Sequence, residues 1–595
     1  MSPNTSQRKS QIVLSFRPSL IQSFADPPND GTEVDEMTEM MFRQTLWSVE
    51  LSVDPSQMYE RLPNELWMAI FDRLSLPRDL LHCLLTCKRF YSIAWPCLHR
   101  TVFITTSAAG ALRRTLDSLS NLPENTPLRH VAKGMVVGHL QGYLKLKRLM
   151  DPYYGIESII QKSFVESLTN LTFVGATLPS TIVPALAKLA NLQRLYLYSS
   201  YIHYKVDQDT DSEDESEGVG YIEEAKSHLP VLRQLKEFRL WRHDWYGITS
   251  ETDYKYTLKE LLHVCKRMHA LCIDWNTVVA PTLNRAVQRS TLPWRYLCLR
   301  MPPLDMQIIN FRMSGEPLLQ LLPWLDHLEE LRIVGNCFGL EHMDQELGVV
   351  RVSQLRTYSG PFELFATFAE VPALERINFT FTKDPRPHHN TLGKIYTVFS
   401  RLLLPRLEAL SFYVDKWDGE LLSFLVSKFP KLKELRIAYA DGVVTEDELS
   451  LLASVYLVSL PQLRVFHLYH LAQPTDMKLS APTQGGRRRR HNMSQQENTR
   501  HLLHAYLQGK LSIAVVEPKR RKSLPDTSDV VLNLWSQYTP LLTEGRLTRT
   551  GVWTRGRQVD GEWTSWRMRP VSPLEDDSFV YNDDLERWME FESLR

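Results

Sequence analysis

Three cysteines and a histidine lie close together in one short stretch of the sequence: Cys83, Cys87, Cys97 and His99. Thiolate and imidazole are the usual ligands of structural zinc, so this cluster could imitate a zinc site. Cys83 and Cys87 are spaced i, i+4 on a predicted helix, however, whereas structural zinc takes closely paired ligands from turns. We therefore interpret the four residues as parts of a helical core, and we predict no metal site and no cofactor.

The sequence lacks the common signatures of nucleotide-binding, metalloprotease, serine-hydrolase and dithiol enzymes: GxxxxGK[ST], HExxH, GxSxG and CxxC. Its composition is that of a globular protein, with 43% hydrophobic and 23% charged residues among 595. Basic and acidic residues number 69 each, so neither nucleic acid nor an anionic membrane is expected as a partner of the whole chain. No apolar run predicts a transmembrane helix or a secretion signal. Seven cysteines indicate a reducing compartment, the nucleus or the cytoplasm.

Shifts in composition divide the chain into five parts. We predict a disordered N-terminal arm, a helical module, a repeat array with an acidic disordered insertion, a basic disordered linker and a C-terminal hairpin and helix segment. The arm is Ser-rich and acid-poor, as transit peptides also are. In that order the boundaries are 1–57, 58–105, 106–475 with the insertion at 205–220, 476–527, and 528–595.

The helical module carries two apolar stripes. Leucine or isoleucine recurs every four residues in the first stripe, as on one face of a helix. Leu76-Pro77 marks a break before the second stripe, because proline disfavours helix in the residue that precedes it. The first stripe is Leu62, Leu66, Ile70 and Leu74, and the second is Leu80, Leu84 and Cys87. A module of this size can hardly bury all of its leucines alone, which indicates a partner.

This stretch resembles the F-box family. The resemblance lies in Leu62-Pro63-x-Glu65-Leu66, Ile70-Phe71, Leu74, the Leu-Pro-x-Asp-Leu-Leu of residues 76–81, Cys87-Lys88-Arg89-Phe90 and Ala94-Trp95-Pro96-x-Leu98. The family usually has a larger aromatic residue where this chain has Phe90. The resemblance implies docking on a Skp-type adaptor, and through it on a cullin. The implied adaptor-binding residues are Leu62, Pro63, Leu66, Ile70, Leu74, Leu80, Leu84, Cys87 and Phe90.

Residues 106–475 repeat the phrase LxxLxxLxL, for example at Leu189-Leu192-Leu195-Leu197 and at Phe429-Leu432-Leu435-Ile437. The phrase resembles degenerate leucine-rich repeats, although its spacing is irregular and the usual Asn survives mainly at Asn276 and Asn336. Helical stretches separate the phrases. We predict an α/β fold in which a short helical F-box precedes an irregular leucine-rich-repeat-like solenoid, with a small C-terminal β/α cap and disordered linkers.

In such strands the leucines point into the core, so the residues between them line the sheet where solenoids commonly bind. Arginine and aromatic residues dominate these positions, which favours an acidic or phosphorylated target. The predicted target-binding residues are Tyr196, Tyr198, Arg239, Trp241, Arg300, Arg332, Tyr413, Arg436 and Tyr469, with His467 among them. The alternative is a neutral, salt-bridged surface, because Glu237, Glu330 and Glu434 each precede an arginine by two residues.

Two basic clusters occupy the linker, and they are typical of nuclear localisation signals. The alternative is a solvated linker. The clusters are Arg487, Arg488, Arg489 and Arg490, and Lys519, Arg520, Arg521 and Lys522.

Three functions remain as hypotheses. The first is the substrate-recognition subunit of an SCF-type ubiquitin ligase, which itself is not catalytic. The second is a non-degradative interaction scaffold that still binds the adaptor. The third, ranked well behind, is an enzyme hidden in the solenoid. The sequence does not identify the target protein, because the binding faces of solenoids are formed by scattered residues.

Overall fold

In a computed structural model of the chain, the structure describes most of residues 62–470 and also residues 528–548, 551–556 and 563–570. The longest gaps within the first span are residues 140–165, 204–231, 242–254, 303–314, 338–349 and 381–390. All described residues belong to one compact unit. No helix among them is long and apolar enough to cross a bilayer. The predicted arm, acidic insertion and basic linker lie outside the described residues.

Three helices form a helical module at residues 62–98: α1 (Asn64–Phe71), α2 (Pro77–Thr86) and α3 (Lys88–Leu98). Helix α2 starts at a proline, which the first turn of a helix tolerates. The Sγ of Cys87 caps α3 by accepting a hydrogen bond from the Phe90 N–H at 3.4 Å. The facing sides of the three helices bury a small core of their own, made of Trp67, Phe71, Leu80, Leu84, Ile93 and Ala94.

The rest of the described chain builds a sixteen-stranded sheet in the order β1-β2-β3-β5-β7-β8-β9-β10-β12-β14-β15-β16-β17-β18-β19-β20, and two small two-stranded sheets, β4-β6 and β11-β13. The strands are β1 (Thr101–Thr106), β2 (Gly134–His139), β3 (Asn170–Val174), β4 (Thr177–Pro179), β5 (Arg194–Tyr198), β6 (Tyr201–His203), β7 (Glu237–Trp241), β8 (Ala270–Asp274), β9 (Tyr296–Arg300), β10 (Glu330–Val334), β11 (Val350–Arg351), β12 (Thr357–Gly360), β13 (Phe368–Glu370), β14 (Arg376–Phe379), β15 (Ala409–Lys416), β16 (Glu434–Asp441), β17 (Val465–His470), β18 (Glu544–Arg546), β19 (Gly551–Thr554) and β20 (Arg567–Pro570). Neighbours pair in parallel up to β18, and β19 and β20 are antiparallel.

Helices connect many of these strands, as parallel pairing requires. They are α4 (Leu128–Val131), α5 (Ile182–Ala187), α6 (Val279–Arg289), α7 (Glu316–Leu321), α8 (Phe362–Ala366), α9 (Thr391–Arg401), α10 (Gly419–Lys428), α11 (Glu446–Val455) and α12 (Ser528–Tyr538), with 3-10 turns at Leu322–Trp324 and Leu457–Ser459. Local signals set several starts: Asp418 caps α10, and Thr445 with Glu448 forms a capping box on α11.

The leucines of the repeated phrase lie where the sequence places them, on the helix side of the sheet. Leu195 is in register with Phe238, and Phe238 with Leu271, so apolar side chains lie next to one another across neighbouring strands. This stacking continues through the array as a single extended core that includes Leu195, Leu271, Leu331, Leu410 and Leu435. The predicted α/β architecture, with a short helical F-box-like module before a leucine-rich-repeat-like solenoid, is therefore confirmed.

The C-terminal segment completes this sheet. Strand β18 adds in parallel to β17, and the β19-β20 hairpin comes after it. Helix α12 packs Trp535 into the core, where its ring lies 4.8 Å from that of Phe466. Asp560-Gly561, a residue pair typical of hairpin turns, comes between β19 and β20 and lies outside the described residues.

Candidate functional site

The helical module carries several large apolar side chains that are exposed. Leu66 is 50% exposed and Leu85 is 74% exposed, although both belong to helices whose other faces are buried. We call the exposed set the apolar face of the module: Leu66, Met68, Leu81, Leu85 and Tyr91. Leu81 and Leu85 lie one turn apart on the same side of α2. Exposed apolar groups that lie together mark protein interaction sites, so this face is the first candidate functional surface.

The structure separates the predicted adaptor-binding residues into three groups. Pro63 and Leu66 are exposed, whereas Leu62, Ile70, Cys87 and Phe90 are half-buried. Leu74 lies outside the described residues.

Leu80 and Leu84 are buried in the module core, so we correct their assignment: they support the surface from below and do not form it. The spacing of the leucines does not predict that Met68, Leu85 and Tyr91 are exposed. If Trp67 and Phe71 are placed on the inward side of the helix, Met68 points away from the core, because adjacent helical residues point about 100° apart.

A cluster of aromatic rings holds the three helices together. The Trp67 and Phe90 rings lie 4.7 Å apart, and the Phe71 and Phe90 rings meet edge to face at 5.3 Å. The Arg89 side chain donates from Nε to the Asn64 side-chain carbonyl at 3.0 Å and from Nη2 to the Leu62 backbone oxygen. Helix α3 is thereby tied to the start of α1, which fixes the position of Leu66.

The cysteines of the module have structural contacts. Cys87 caps α3, and the Cys97 thiol donates to the Ile93 carbonyl at 3.6 Å. Within the described part of the chain, no group of three or more His, Cys, Asp or Glu side chains is placed to hold a metal ion.

Trp95 joins the module to the solenoid, because its partly buried ring packs against both cores. The ring of His99 lies 4.5 Å from it, and burial lowers the pKa of that histidine. Only Arg100 then separates His99 from β1. A protein that binds the apolar face therefore meets a module held against the sheet, not one on a free linker.

The second candidate surface is the side of the sheet opposite the leucine core, which we call the polar face. It carries the first, third and fifth residues of the strands, such as Arg194, Tyr196 and Tyr198 of β5 and Glu237 and Arg239 of β7. Most of the predicted target-binding residues lie on this face.

Their exposure differs widely. Tyr198, Arg239, Arg332 and Arg436 are half-buried, and Tyr196, Trp241 and Tyr413 retain only a small exposed fraction. Arg300 is 3% exposed and Tyr469 is fully buried, so we correct their assignment as target contacts. Both are covered by their neighbours on the same face.

Arg300 is buried because it has a partner in the next strand. Its Nε lies 2.6 Å from Oδ1 of Asp274, and its Nη2 lies 2.9 Å from Oδ2. The two residues are in register on β9 and β8, and the guanidinium lies 5.6 Å from the centre of the Trp241 ring. This geometry is a bidentate buried ion pair, which has a structural role.

A small apolar cluster surrounds this pair on the polar face. Trp241, Cys272, Cys298 and Val334 are buried together, with Tyr198 and Tyr296 packed against them. Burial raises the pKa of the Cys272 thiol well above its ordinary value, which makes it unreactive as a nucleophile.

The structure shows two of the predicted glutamate–arginine pairs in detail. Glu237 lies 2.7 Å from Arg239, and Glu434 lies 3.3 Å from Arg436. Burial raises the pKa of Glu330, and nearby Arg332 partly offsets that shift. The polar face therefore contains the salt bridges of the alternative prediction alongside its arginines.

Comparison with known proteins gives one family match, to the F-box-like family model over residues 59–105. Curated protein sequences give no match. Three solved structures are similar over most of the chain, all at low identity.

A yeast complex of Rad7 and Elc1 is 15% identical, with 70% of this chain and 96% of that one covered and a TM-score of 0.27. An internalin, inlF, from Listeria monocytogenes str. 4b F2365 is 9% identical, with coverage of 69% and 94% and a TM-score of 0.20. The Toll–Spatzle complex of Drosophila is 13% identical, with coverage of 62% and 42% and a TM-score of 0.26. All three TM-scores are low, so the fold of this chain is described by its own strand order. The family match places an F-box-like domain at residues 59–105, and this domain precedes a solenoid of parallel strands.

Proposed function

We propose that this protein is the substrate-recognition subunit of an SCF-type ubiquitin ligase. The F-box-like domain docks on a Skp-type adaptor, which connects it to a cullin, and the solenoid binds the target protein. The observation that supports this most is the apolar face of the module, because exposed leucines on a packed helical domain need a protein partner. Catalysis then belongs to other subunits of the ligase.

Two exposed leucines on different helices test the docking. Leu66→Asp and Leu85→Asp each place a charge on the apolar face, where a partner would have to bury it without a counter-ion. Both side chains point to solvent in the free protein, so the fold tolerates the change. We expect the double variant to capture a purified Skp-type adaptor about tenfold or more weakly than the wild type.

The solenoid offers a matched control for this experiment. Leu403 is 79% exposed and lies far along the chain from the module, so Leu403→Asp adds the same charge to the same kind of surface position. We expect it to leave adaptor capture unchanged. Undiminished capture by the double variant would reject the docking proposal. An equal loss of capture in the double variant and in Leu403→Asp would indicate a nonspecific charge effect.

A non-degradative scaffold is the second candidate, because the same apolar face serves both functions. The two functions differ in the fate of the captured protein once the adaptor is bound. A receptor supports transfer of ubiquitin to captured proteins when the complete ligase is assembled on it, whereas a scaffold captures the same proteins without modification. Proximity labelling with and without the F-box-like domain identifies the captured proteins for this comparison.

For localisation we propose the nucleus, the cytoplasm or both, with nuclear entry driven by the basic clusters at 487–490 and 519–522. These residues lie outside the described part of the chain. Replacing all eight basic residues with Gln should leave a tagged protein cytoplasmic. An unchanged distribution would show that the clusters are only solvated linker.

A further inference from the structure

The core of the array is uncovered at its C-terminal end. One row of core-facing side chains runs in register from strand to strand: Leu435 of β16, Phe466 of β17, Gly545 of β18, Trp553 of β19 and Met568 of β20. Leu435 and Phe466 are fully buried, Trp553 is half-buried and Met568 is 61% exposed. The cover over the core therefore ends between β18 and β20. We call Trp553 and Met568 the open end of the core.

The open end lies beyond α12, the last helix that the structure describes. This helix lies directly on β18, because a Cβ atom at Gly545 would collide with the Leu532 side chain of α12. Strands β19 and β20 follow as a hairpin, and no described helix comes after them to cover their core side. At the other end of the array, Trp95 of the helical module packs against the core. Only the C-terminal end of the core is therefore left with a largely exposed side chain in this row.

The charges of the hairpin argue against a second copy of the chain as the partner of the open end. Its described residues, 551–556 and 563–570, include Arg555, Arg567 and Arg569 but no Asp or Glu. If two β20 strands paired at the edge of the sheet, the arginines of one copy would lie beside those of the other, and like charges across strands are destabilising. An occupant that is both apolar and acidic suits this end of the sheet better.

The segment that follows β20 has this composition. Residues 571–595, which we call the tail, contain eight Asp or Glu residues and two Arg residues. Leu585, Trp588 and Met589 have the i, i+3, i+4 spacing of one helical face, and Asn582 with two aspartates before Leu585 is typical of a helix start. The sequence therefore predicts a short amphipathic helix in the tail, which lies outside the described residues.

The tail begins beside the open end. Met568 is on the last strand, and residues 571–584 separate that strand from Leu585. At about 3.3 Å per extended residue these fourteen residues span up to about 46 Å. The distances to cover are about 4.8 Å between neighbouring strands and about 10 Å between packed layers. The apolar residues of the tail can therefore reach Met568 and Trp553, and as part of the same chain they are present there at high effective concentration.

We propose that the tail folds back over the open end of the core and places Leu585, Trp588 and Met589 against Met568 and Trp553. The tail then covers β19 and β20 as α12 covers β18, and its acidic side becomes the outer surface of the array. Terminal units of repeat proteins need such a polar outer side to stay soluble. This inference goes beyond the receptor function and does not depend on it.

Oxidation of methionine by dilute hydrogen peroxide tests the contact in the full chain, because a covered thioether is oxidised more slowly than an exposed one. Met68 of the helical module is 44% exposed and serves as the internal reference. At 61% exposure, an uncovered Met568 would be oxidised at least as fast as Met68. With the tail in place, we expect Met568 to be oxidised about fivefold or more slowly than Met68, as measured by peptide mass spectrometry.

Two double variants of the tail identify what covers Met568. Leu585→Asp with Trp588→Asp puts charges on the apolar side of the tail, where burial without a counter-ion is costly, and should raise the oxidation of Met568 to at least the rate of Met68. Glu586→Gln with Glu590→Gln is the matched control. It also changes the charge of the tail by two, but on the opposite side of the predicted helix, and it should leave Met568 protected.

Two results would overturn the proposal. If Met568 is oxidised as fast as Met68 in the wild type, the tail does not cover it, and this comparison needs no variant. If Met568 is equally protected in the wild type and in Leu585→Asp with Trp588→Asp, another occupant covers it. Protection that rises with protein concentration would then identify that occupant as a second copy of the chain. Adaptor capture tests the receptor function separately, since Leu66 and Leu85 belong to the other end of the array.

Discussion

The indole N–H of Trp535 donates a hydrogen bond to the backbone oxygen of Leu449 at 2.8 Å, although the two residues are 86 positions apart in the sequence. Leu449 lies in α11, the helix before β17, and Trp535 lies in α12, the helix before β18. The bond therefore ties the C-terminal segment to the last repeat of the solenoid. This segment is part of the same folded unit.

Removing the Trp535 ring should detach this segment. Trp535→Ala deletes a fully buried side chain, and we expect a loss of about 3–5 kcal/mol in the free energy of unfolding. Trp535→Phe keeps a ring against Phe466 but not the hydrogen bond, so it should cost less. Denaturant unfolding followed by tryptophan fluorescence measures both. Val530 lies on the same helix and is 67% exposed, so Val530→Ala is the control and should leave the free energy of unfolding nearly unchanged.

The buried pair of Arg300 and Asp274 predicts strong coupling. Arg300→Met leaves a buried carboxylate without its counter-ion, which should destabilise the protein by about 3–5 kcal/mol. Arg300→Met combined with Asp274→Leu removes both charges and should recover most of that loss. A double-mutant cycle by thermal unfolding measures the coupling. Additive losses would show that the two charges do not depend on one another.

Phe90 should be essential for the helical module. Its ring contacts both Trp67 and Phe71, so Phe90→Ala should open a cavity and destabilise the module by about 2–4 kcal/mol. Tyr91, its neighbour on α3, is largely exposed, and Tyr91→Ala should leave the fold intact. Hydrogen exchange of residues 64–98 distinguishes the two variants. Equal protection in both would contradict this role of the aromatic cluster.

The contact between β17 and β18 should weaken at mildly acidic pH. Burial lowers the pKa of His467 below 6.5, against the hydrogen bond with Glu544 at 2.9 Å and together with the charges of Arg436 and Arg546. The unfolded chain therefore binds a proton near pH 6.5 that the folded chain does not, and stability falls as the pH drops through that value. The pKa of Glu544 is below 4.5, so its contribution remains until the pH is lower still.

His467→Gln removes this titration. Between about pH 7.5 and about pH 5.5 we expect the wild type to lose more stability than the variant, as measured by thermal unfolding at both values. The same loss in the two proteins would mean that other groups cause the pH dependence.

The parts of this structure that depend on local pattern can be predicted from the sequence. Alternation in phrases such as Leu195-Tyr196-Leu197 determines which residues point into the core, because side chains alternate along a strand. The start of α2 at Pro77 is local in the same way. The burial of Arg300, which the sequence predicts as a target contact, could not be foreseen in this way, because it depends on Asp274 in the neighbouring strand, 26 residues away. Register between strands is not visible in a single strand's pattern.

The same limit applies to the module and to the ion pairs of Glu434. The spacing of leucines predicts two stripes, but the choice between Leu66 and Trp67 as the inward residue depends on packing against Phe90. The pairing of Glu434 with Arg436 is expected from their spacing of two residues. The ion pair of Glu434 with Arg376 depends on which strands lie two apart in the sheet, and on the small Ala409 in register between the two residues.

The order of the last strands also affects how the chain is made. Glu544 of β18 comes 77 residues after its partner His467 of β17. At a synthesis rate of about 5–20 residues per second, roughly 4–15 seconds separate the two on the ribosome. During that interval one edge of β17 carries unpaired backbone groups, a template to which another nascent strand can add. The growing protein therefore passes through a stage at which β17 is an open edge strand, and that stage ends only when β18 has been translated.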